Sequence, residues 1–483
     1  MLLSQLLSAI GAPCAKDAEI TALTCDSREV IPGALFAALE GASADGRAYI
    51  PEALDRGAAA VVCARSAAGA LPPGVPGAAV DDPRAALALL AAEFYGHPAK
   101  ELTLVAVTGT KGKTTTAHML REILTAAGHK TGMIGTLGAF IGPAPLSAAV
   151  NTTPEPVALH RTLRQMANAG CTHVVMEVSS QAMKLRRVEG IEFAAALFLN
   201  LSPDHIGGAE HADFAEYRAC KAALFRQCRL ALGNLQDANW PVMAAQVPPG
   251  APAVTFGFVP GADVRGGAVS PGKQPLSTRF FVDGTAEPYV IPMPGRFNAA
   301  NALAAVALCR ALGVDDSAVR AGLARVSVPG RMQRYPADAP FTVLIDYAHN
   351  GESVRALLGA LQEHPHRRIL LLFGAGGDRP KIRRTDMARA AAQGADYAVI
   401  TEDNPRSERV EDICADIAAA IGNDIPWEIV PDRREAIFRI LDLARSGDIA
   451  TLLGKGHETY IEAHGVRRPF SEWAVLDEYF SRQ

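Results

Sequence analysis

The stretch "VAVTGTKGKTTTAHML", Val105 to Leu120, decides how the middle of this chain is read. An apolar run from Leu102 to Val107 leads into Thr108-Gly109-Thr110-Lys111-Gly112-Lys113-Thr114-Thr115-Thr116, and a helical pattern follows. A glycine-rich turn between a strand and a helix aims backbone N–H groups at phosphate oxygens, and the helix dipole adds positive potential. Gly109 and Gly112 let the backbone come close. Lys113 supplies a charge for the β- and γ-phosphates of a nucleoside triphosphate, and Thr114 or Thr115 offers a hydroxyl to Mg²⁺. A strict Walker A pattern wants glycine five residues before Gly112, where this chain has Val107. The stretch reads as a shortened nucleoside-triphosphate loop. It does not name the reaction.

Working outward, "HVVMEVSS" places Glu177 near the end of a second apolar run. In a P-loop ATPase a carboxylate at the end of a neighbouring strand holds the metal. A carboxylate in an apolar strand is costly unless paired or metal-bound. Strand-like runs at 102–107, 173–178 and 195–201 alternate with helical patterns over Lys113–Ala127 and Pro154–Ala169, which predicts a parallel sheet covered by helices. Upstream, residues 1–98 are alanine-rich with short strands in "GALFAALEG" and "AAAVVCA", and Tyr95–Thr103 reads as a linker. From Val254 to Ile291 the texture is β-rich, and a helix over 297–313 ends at Gly313 as a C-cap. After "VSVPGRMQRY" (326–335) strands and helices alternate again. The expected architecture is α/β in three domains. A small mixed α/β N-terminal domain (1–98) precedes a central P-loop ATPase-like parallel-sheet domain with a β-rich subregion (99–329). A Rossmann-like C-terminal domain (330–483) follows.

The length of 483 residues suits about three domains of roughly 150 residues. A net charge of −4 argues against a dedicated nucleic-acid binder. The eight cysteines include no C-x-x-C pair, so reduced thiols are expected and neither zinc nor redox chemistry is indicated. No basic segment precedes the short apolar N-terminus, and prolines break the longest uncharged stretch, Ala238 to Ala262. The expectation is a cytoplasmic monomer without membrane contact.

Further segments extend the reading. "TGTKGKTTT", "NTTPE" (151–155), "MEVSSQAM" (176–183), "NLSPDHI" (200–206), "YRACKAALF" (217–225), "GRFNAANALAA" (295–305), "PGRMQRY" (329–335), "DYAHN" (346–350), "FGAGGDR" (373–379), "DNPRSE" (403–408) and "GKGHE" (454–458) together resemble the Mur ligases. These are ATP-dependent amide ligases of peptidoglycan precursor synthesis, and the shortened loop is the family's own variant. The resemblance implies that ATP phosphorylates the D-Glu side-chain carboxylate of UDP-MurNAc-L-Ala-D-Glu and that an amine displaces phosphate. It also implies roles. Gly109, Thr110, Lys111, Gly112, Lys113, Thr114, Thr115, Asn301, Arg331 and Asp346 would bind ATP. Thr114, Glu177, His205 and Lys221 would hold Mg²⁺, with Lys221 carbamylated to N6-carboxylysine; Lys113, Glu177, His205 and Lys221 would be catalytic. Ser27, Asn151, Thr152, Thr153, Ser179 and Arg187 would bind the UDP-sugar-dipeptide. On spacing alone "YRACK" reads as a solvated helix face; only the resemblance reverses that. Two departures stand out: Leu185 where the family often has glutamine, and "IGGAEHADF" after Asp204-His205, which is longer than the usual form.

The resemblance also implies the amine: within the family "DNPR" marks the forms that add meso-diaminopimelate, although by itself the segment reads as a turn. That substrate carries a distal carboxylate that lysine lacks, and Arg406 offers a planar fork for it. Arg379, Asp403, Asn404, Pro405, Gly454 and Glu458 match further contacts, with Asp403 or Asn404 on an amine. Competing readings are a folylpolyglutamate synthase or another Mur ligase, and a P-loop regulatory or transport ATPase that turns over ATP without an amine.

Overall fold

The computed structural model describes residues 1–41, 45–66, 71, 74–204, 206–207 and 210–482. Contacts divide the chain into two units, Met1–Arg265 with Leu303–Gly322 and Gly266–Ala302 with Leu323–Gln483.

The first unit holds two sheets. Among the described residues, Ala22–Thr24, Ala34–Ala37, Ala60–Ala64 and Gly77–Val80 pair in that order, all in parallel. Alternate residues of these strands enter two cores. Leu35 and Val62 pack with Leu6 and Leu90, while Phe36 and Val61 pack with Ile50 and Val30. Both faces are therefore covered, as a parallel sheet requires. The segment expected as a linker contains left-handed His97 and the short 3₁₀ turn Pro98–Glu101. Arg164 clamps it, donating to Tyr95 O at 2.9 Å and Gly96 O at 2.8 Å and pairing with Glu101 at 2.6 Å.

In the second sheet of this unit, Thr103–Thr108 lies between Ala195–Phe198 and His173–Glu177, parallel to both. Val107 is fully buried and paired with Glu177. The strand runs through this position, so the turn starts at Gly109 and no glycine is needed at 107. Thr131–Gly135 follows in parallel, and two antiparallel strands, Gly138–Ile141 and Ala144–Ser147, complete that side. The helix expected from Pro154 starts at Pro156, because Glu155, which precedes that proline, is held extended. The strand expected to reach residue 201 stops at Phe198, where Asn200 turns to brace the phosphate loop.

In the second unit Gly266–Pro271, Thr278–Val282 and Tyr289–Ile291 pair antiparallel, the expected β-rich texture. A further sheet runs Gln333–Tyr335, Thr342–Asp346, Ile449–Leu453, Ile369–Phe373, Tyr397–Ile400, Trp427–Ile429, and among the described residues only the first pairing is antiparallel. Helices Gly351–Gln362, Ile382–Gly394, Val410–Ile421 and Arg433–Leu443 separate its strands in the chain. All eight cysteines are free thiols.

Arg433 ties this sheet's ends together. Its guanidinium is fully buried and donates to Glu402 O at 2.8 Å, Leu453 O at 2.7 Å and Glu472 Oε1 at 2.6 Å. Burial raises the pKa of Glu472 against the pull of Arg433, and its Oε2 has no partner among the described residues. Removing one member of a buried pair strands the other, so Arg433→Met destabilises this unit by about 3–5 kcal/mol. Urea unfolding followed by the fluorescence of Trp427 and Trp473 measures it. A midpoint unchanged from the parent would show that the pair contributes nothing.

Candidate active site

The phosphate loop sits at the carboxyl end of a central strand, and the next strand end braces it. Thr110 N–H donates to Asn200 O and Lys111 N–H to Asn200 Oδ1, both at 2.9 Å, while Asn200 Nδ2 returns a bond to Lys111 O. Thr110 Oγ1 meets Tyr217 OH at 3.0 Å. Two loop amides thus face Asn200, while the first amides of helix Lys113–Ala126 lack intrahelical acceptors. Gly112 has φ +86°, which favours glycine. Lys113 Nζ lies over the loop, 2.8 Å from Gly109 O and 3.1 Å from Thr110 O. Lys111 Nζ pairs with Asp204 at 3.3 Å. Thr115 is buried beside Thr114 in the first helical turn.

Glu177, 1% exposed, is no edge-strand carboxylate. It accepts from Thr114 Oγ1 at 3.0 Å, Thr136 N–H at 2.9 Å and Thr136 Oγ1 at 3.1 Å. Gly135 makes the room, since an added Cβ would lie 2.1 Å from Glu177 Oε1. Every donor here is a hard oxygen, the set Mg²⁺ selects with one carboxylate and substrate phosphates. Glu177 and Thr114 therefore fit the metal; His205 lies outside the described residues. Among the described residues no three His, Cys, Asp or Glu side chains gather as a metal cluster.

Lys221, on helix Phe214–Ala223, is 2% exposed. Its Nζ donates to Gly109 O at 3.0 Å and lies 4.9 Å from the Tyr217 ring centroid. Burial first, and then nearby Lys113, push its pKa well below the usual lysine value. The altered segment before this helix is anchored by buried His211, whose Nε2 meets Ser180 Oγ at 2.9 Å, and by Asp213, which caps the helix.

The residues assigned to the sugar-peptide in this sheet form one chain of contacts. Thr136 meets Thr152 at 3.1 Å, and Thr153 Oγ1 donates to Glu177 O and accepts from Ser179 N–H. Buried Arg187 donates to Thr153 O at 3.0 Å and pairs with Glu155 at 2.5 Å. Asn151 is half-buried in the adjoining turn. Ser27 belongs to the other sheet's region, where its hydroxyl donates to Glu52 at 2.9 Å.

In the second unit, residues at the ends of four strands come together. Asp346 accepts from Met332 N–H and Ala348 N–H, each at 2.7 Å, and burial raises its pKa. Arg331 stacks over the Tyr347 ring at 4.6 Å. Asn301, also assigned to this unit, is buried on helix Arg296–Ala311. His349 has a local partner, Tyr347 O at 2.8 Å from its Nδ1. Asn404 Nδ2 donates to Glu458 Oε2 at 2.9 Å. Arg406 Nη1 donates to Gly377 O at 2.6 Å, and Gly377 N–H to Asn404 O at 2.9 Å. The chains touch here, since a Cβ on Gly377 would meet Pro405 O at 1.9 Å. Gly376 lies between two arginines: an added Cβ would sit 3.0 Å from Arg406 Nη1 and 3.8 Å from Arg379 Cγ. Gly454, φ +109°, packs against Asp403, leaving 2.8 Å between an added Cβ and Oδ2. A cationic fork beside acidic groups suits a ligand end that carries both charges.

Three family models match in order: "Mur ligase family, catalytic domain" over 19–95, "Mur ligase middle domain" over 107–309, and "Mur ligase, glutamate ligase domain" over 330–456. The UDP-N-acetylmuramoyl-L-alanyl-D-glutamate–2,6-diaminopimelate ligase of Geobacillus thermodenitrificans is 39% identical over 455 residues, 92% of this chain and 91% of that one. The chain is a Mur ligase. A solved structure of a UDP-N-acetylmuramoyl-L-alanyl-D-glutamate–2,6-diaminopimelate ligase aligns with TM-score 0.70 and 29% identity over 96% of this Mur ligase and 95% of that chain. Mycobacterium tuberculosis folylpolyglutamate synthase, solved with ADP and AMPPCP, shares the fold at TM-score 0.62 and 21% identity over 75% of this chain and 91% of its own.

Sequence reasoning misses four residues that contact the candidate site residues. Thr136 and Asn200 each act through several hydrogen bonds made just past the ends of strands distant in sequence, which no local spacing reveals. Tyr347 lies inside "DYAHN", next to Asp346. Lys455 lies inside "GKGHE", where a lysine between two glycines reads as a solvated turn.

Proposed function

We propose that this Mur ligase uses ATP to join meso-diaminopimelate to the D-Glu side-chain carboxylate of UDP-MurNAc-L-Ala-D-Glu, in peptidoglycan precursor synthesis. The cluster of Arg406, Asn404, Asp403 and Glu458 carries the choice of amine. Region 1–98 takes the uridine end through Ser27, 99–329 takes ATP and the sugar-peptide, and 330–483 takes the amino acid together with Asp346 and Arg331 for the nucleotide. The carboxylate oxygen attacks the γ-phosphorus and ADP leaves. The free amine then attacks the acyl phosphate, and phosphate leaves from a tetrahedral intermediate. Both partners of the first step are anionic, so catalysis consists of neutralising charge and fixing an in-line geometry.

Lys113 moves from its own loop carbonyls to the β- and γ-phosphates. Thr114 and Glu177, with His205 and a carbamylated Lys221, would hold Mg²⁺, which when bound screens the phosphate charge. Lys221 suits carbamylation because a neutral amine is the form that attacks CO₂, yielding a carbamate and a proton. Thr152, Thr153, Ser179 and Arg187 line the path of the sugar-peptide. The substrates are small and soluble, no helix among the described residues is long and apolar enough to cross a membrane, and we read the enzyme as a cytoplasmic monomer that binds no nucleic acid.

The test is ADP release from ATP with the UDP-dipeptide and a panel of amines. Release that requires both the UDP-dipeptide and meso-diaminopimelate is expected. Release without any amine would favour a P-loop ATPase, and release driven by a folate and glutamate would favour the folylpolyglutamate synthase reading.

A further inference from the structure

Lys455 is fully buried, and its ammonium lies among the groups assigned above to the amino acid. Nζ donates to Asn404 Oδ1 at 2.8 Å and to Glu458 Oε2 at 2.7 Å, and stands 3.7 Å from Asp403 Oδ1. Asn404 Oδ1 also accepts from Glu462 N–H at 2.9 Å. Both of these partners are pure donors, so the atom facing them must be the amide oxygen. The amide is thereby locked with its nitrogen outward from Lys455, donating to Glu458. Its acceptor is taken twice within the protein, so toward a ligand Asn404 offers only a donor. A donor serves a carboxylate. Acceptors for an ammonium are left to Asp403 and to Glu458, whose Oε1 takes only Tyr347 OH at 3.2 Å among the described contacts. Burial alone would raise Glu458; Lys455 and the hydrogen bonds outweigh it and hold the carboxylate below its usual range.

We propose that Lys455 is a positioning residue for the amino-acid substrate: it fixes Asn404 as a carboxylate donor and keeps Glu458 oriented as an ammonium acceptor, so that a zwitterionic ligand end is read in one orientation. This rests on the diaminopimelate reading of the site. In Lys455→Met the Asn404 amide oxygen keeps only the Glu462 N–H, so the amide is held less firmly, and Glu458 and Asp403 lose the ammonium that pairs with both. The expected result is a KM for meso-diaminopimelate raised about 10- to 100-fold, as for loss of charge-assisted hydrogen bonds, with KM for ATP and UDP-dipeptide near the parent's. The preference for meso-diaminopimelate over L-lysine narrows by a comparable factor, because only the former presents a distal carboxylate. Equal rises in all three KM values, or an unchanged KM for meso-diaminopimelate, would overturn the proposal. Should Lys455→Met fail to fold, Asn404→Asp tests the same point. It keeps an acceptor for Lys455 and replaces the outward donor with an oxygen, so the preference over lysine must fall; a retained preference overturns the idea. A parent enzyme that ignores meso-diaminopimelate would instead overturn the substrate assignment itself.

Discussion

Lys221→Ala lowers turnover by about 10²- to 10³-fold, the range for removing one preorganised group that stabilises reacting charge. Formate or acetate added to this variant restores part of the activity, because a small carboxylate can take the place the carbamate would occupy. Full activity in the variant, or no response to any short carboxylate, would defeat the assigned role. The same position also carries a stability signature. A lysine at 2% exposure is costly to fold, since its charge loses water. Its folded pKa lies well below the ordinary 10.5, so between those two values the unfolded chain binds more protons than the folded one. Stability linked to this group therefore rises with pH through that window, and the penalty disappears above 10.5. Lys221→Met, which removes the charge and keeps the volume, stabilises the fold by about 0.5–2 kcal/mol while destroying activity. Thermal melts of parent and variant at matched pH read this directly, and a less stable Lys221→Met would contradict it.

Arg406→Ala removes discrimination between meso-diaminopimelate and lysine. Arg406 is half-buried, and a charge-assisted pair between its guanidinium and a carboxylate is worth about 10- to 100-fold, a factor that is lost with the guanidinium. The backbone around Arg406 is arranged to aim it. Its φ of +52° is uncommon for a residue with a Cβ. The edge strand Tyr460–Ala463 holds it there: Arg406 N–H donates to Glu462 O at 3.0 Å, and Arg406 O accepts from His464 N–H at 2.6 Å. Strain of this kind persists only where the surroundings over-determine it. Arg406→Lys keeps the charge and loses the fork, so it restores little of the selectivity. The readout is kcat/KM for the two amines in parent and both variants. Selectivity retained in Arg406→Ala would place the carboxylate elsewhere, with Arg379 the next residue to test.

Much of the fold is legible in the sequence because apolar runs and helical periods come in long, unambiguous blocks. The strand before Gly109 and the helix after Gly112 follow from sixteen contiguous residues. Lys221 shows where that kind of reading stops. Its helix spacing describes a solvated face, and only the packing of Tyr217 and the Gly109 carbonyl over it makes the ammonium buried. Lys455 escapes notice for a related reason: glycines on both sides signal a turn, and turns are usually wet. The hairpin Tyr460–Ala463 with Val466–Pro469 is not legible because its two four-residue strands, Tyr-Ile-Glu-Ala and Val-Arg-Arg-Pro, show no alternation of apolar and polar residues. Tertiary context decides such cases, and spacing does not carry it.

The buried guanidinium of Arg433 has a meaning beyond stability. It reaches the carbonyl before Asp403 and the carbonyl before Gly454, at the ends of two strands that never pair, because Ile369–Phe373 runs between them. It works as a gauge block, fixing from behind the spacing of the two strand ends that carry the proposed amino-acid site, without a hydrogen bond to Arg406, Asn404 or Glu458. The lettering on the rim, Arg406 above all, is then free to be rewritten for a different amine without resetting that spacing.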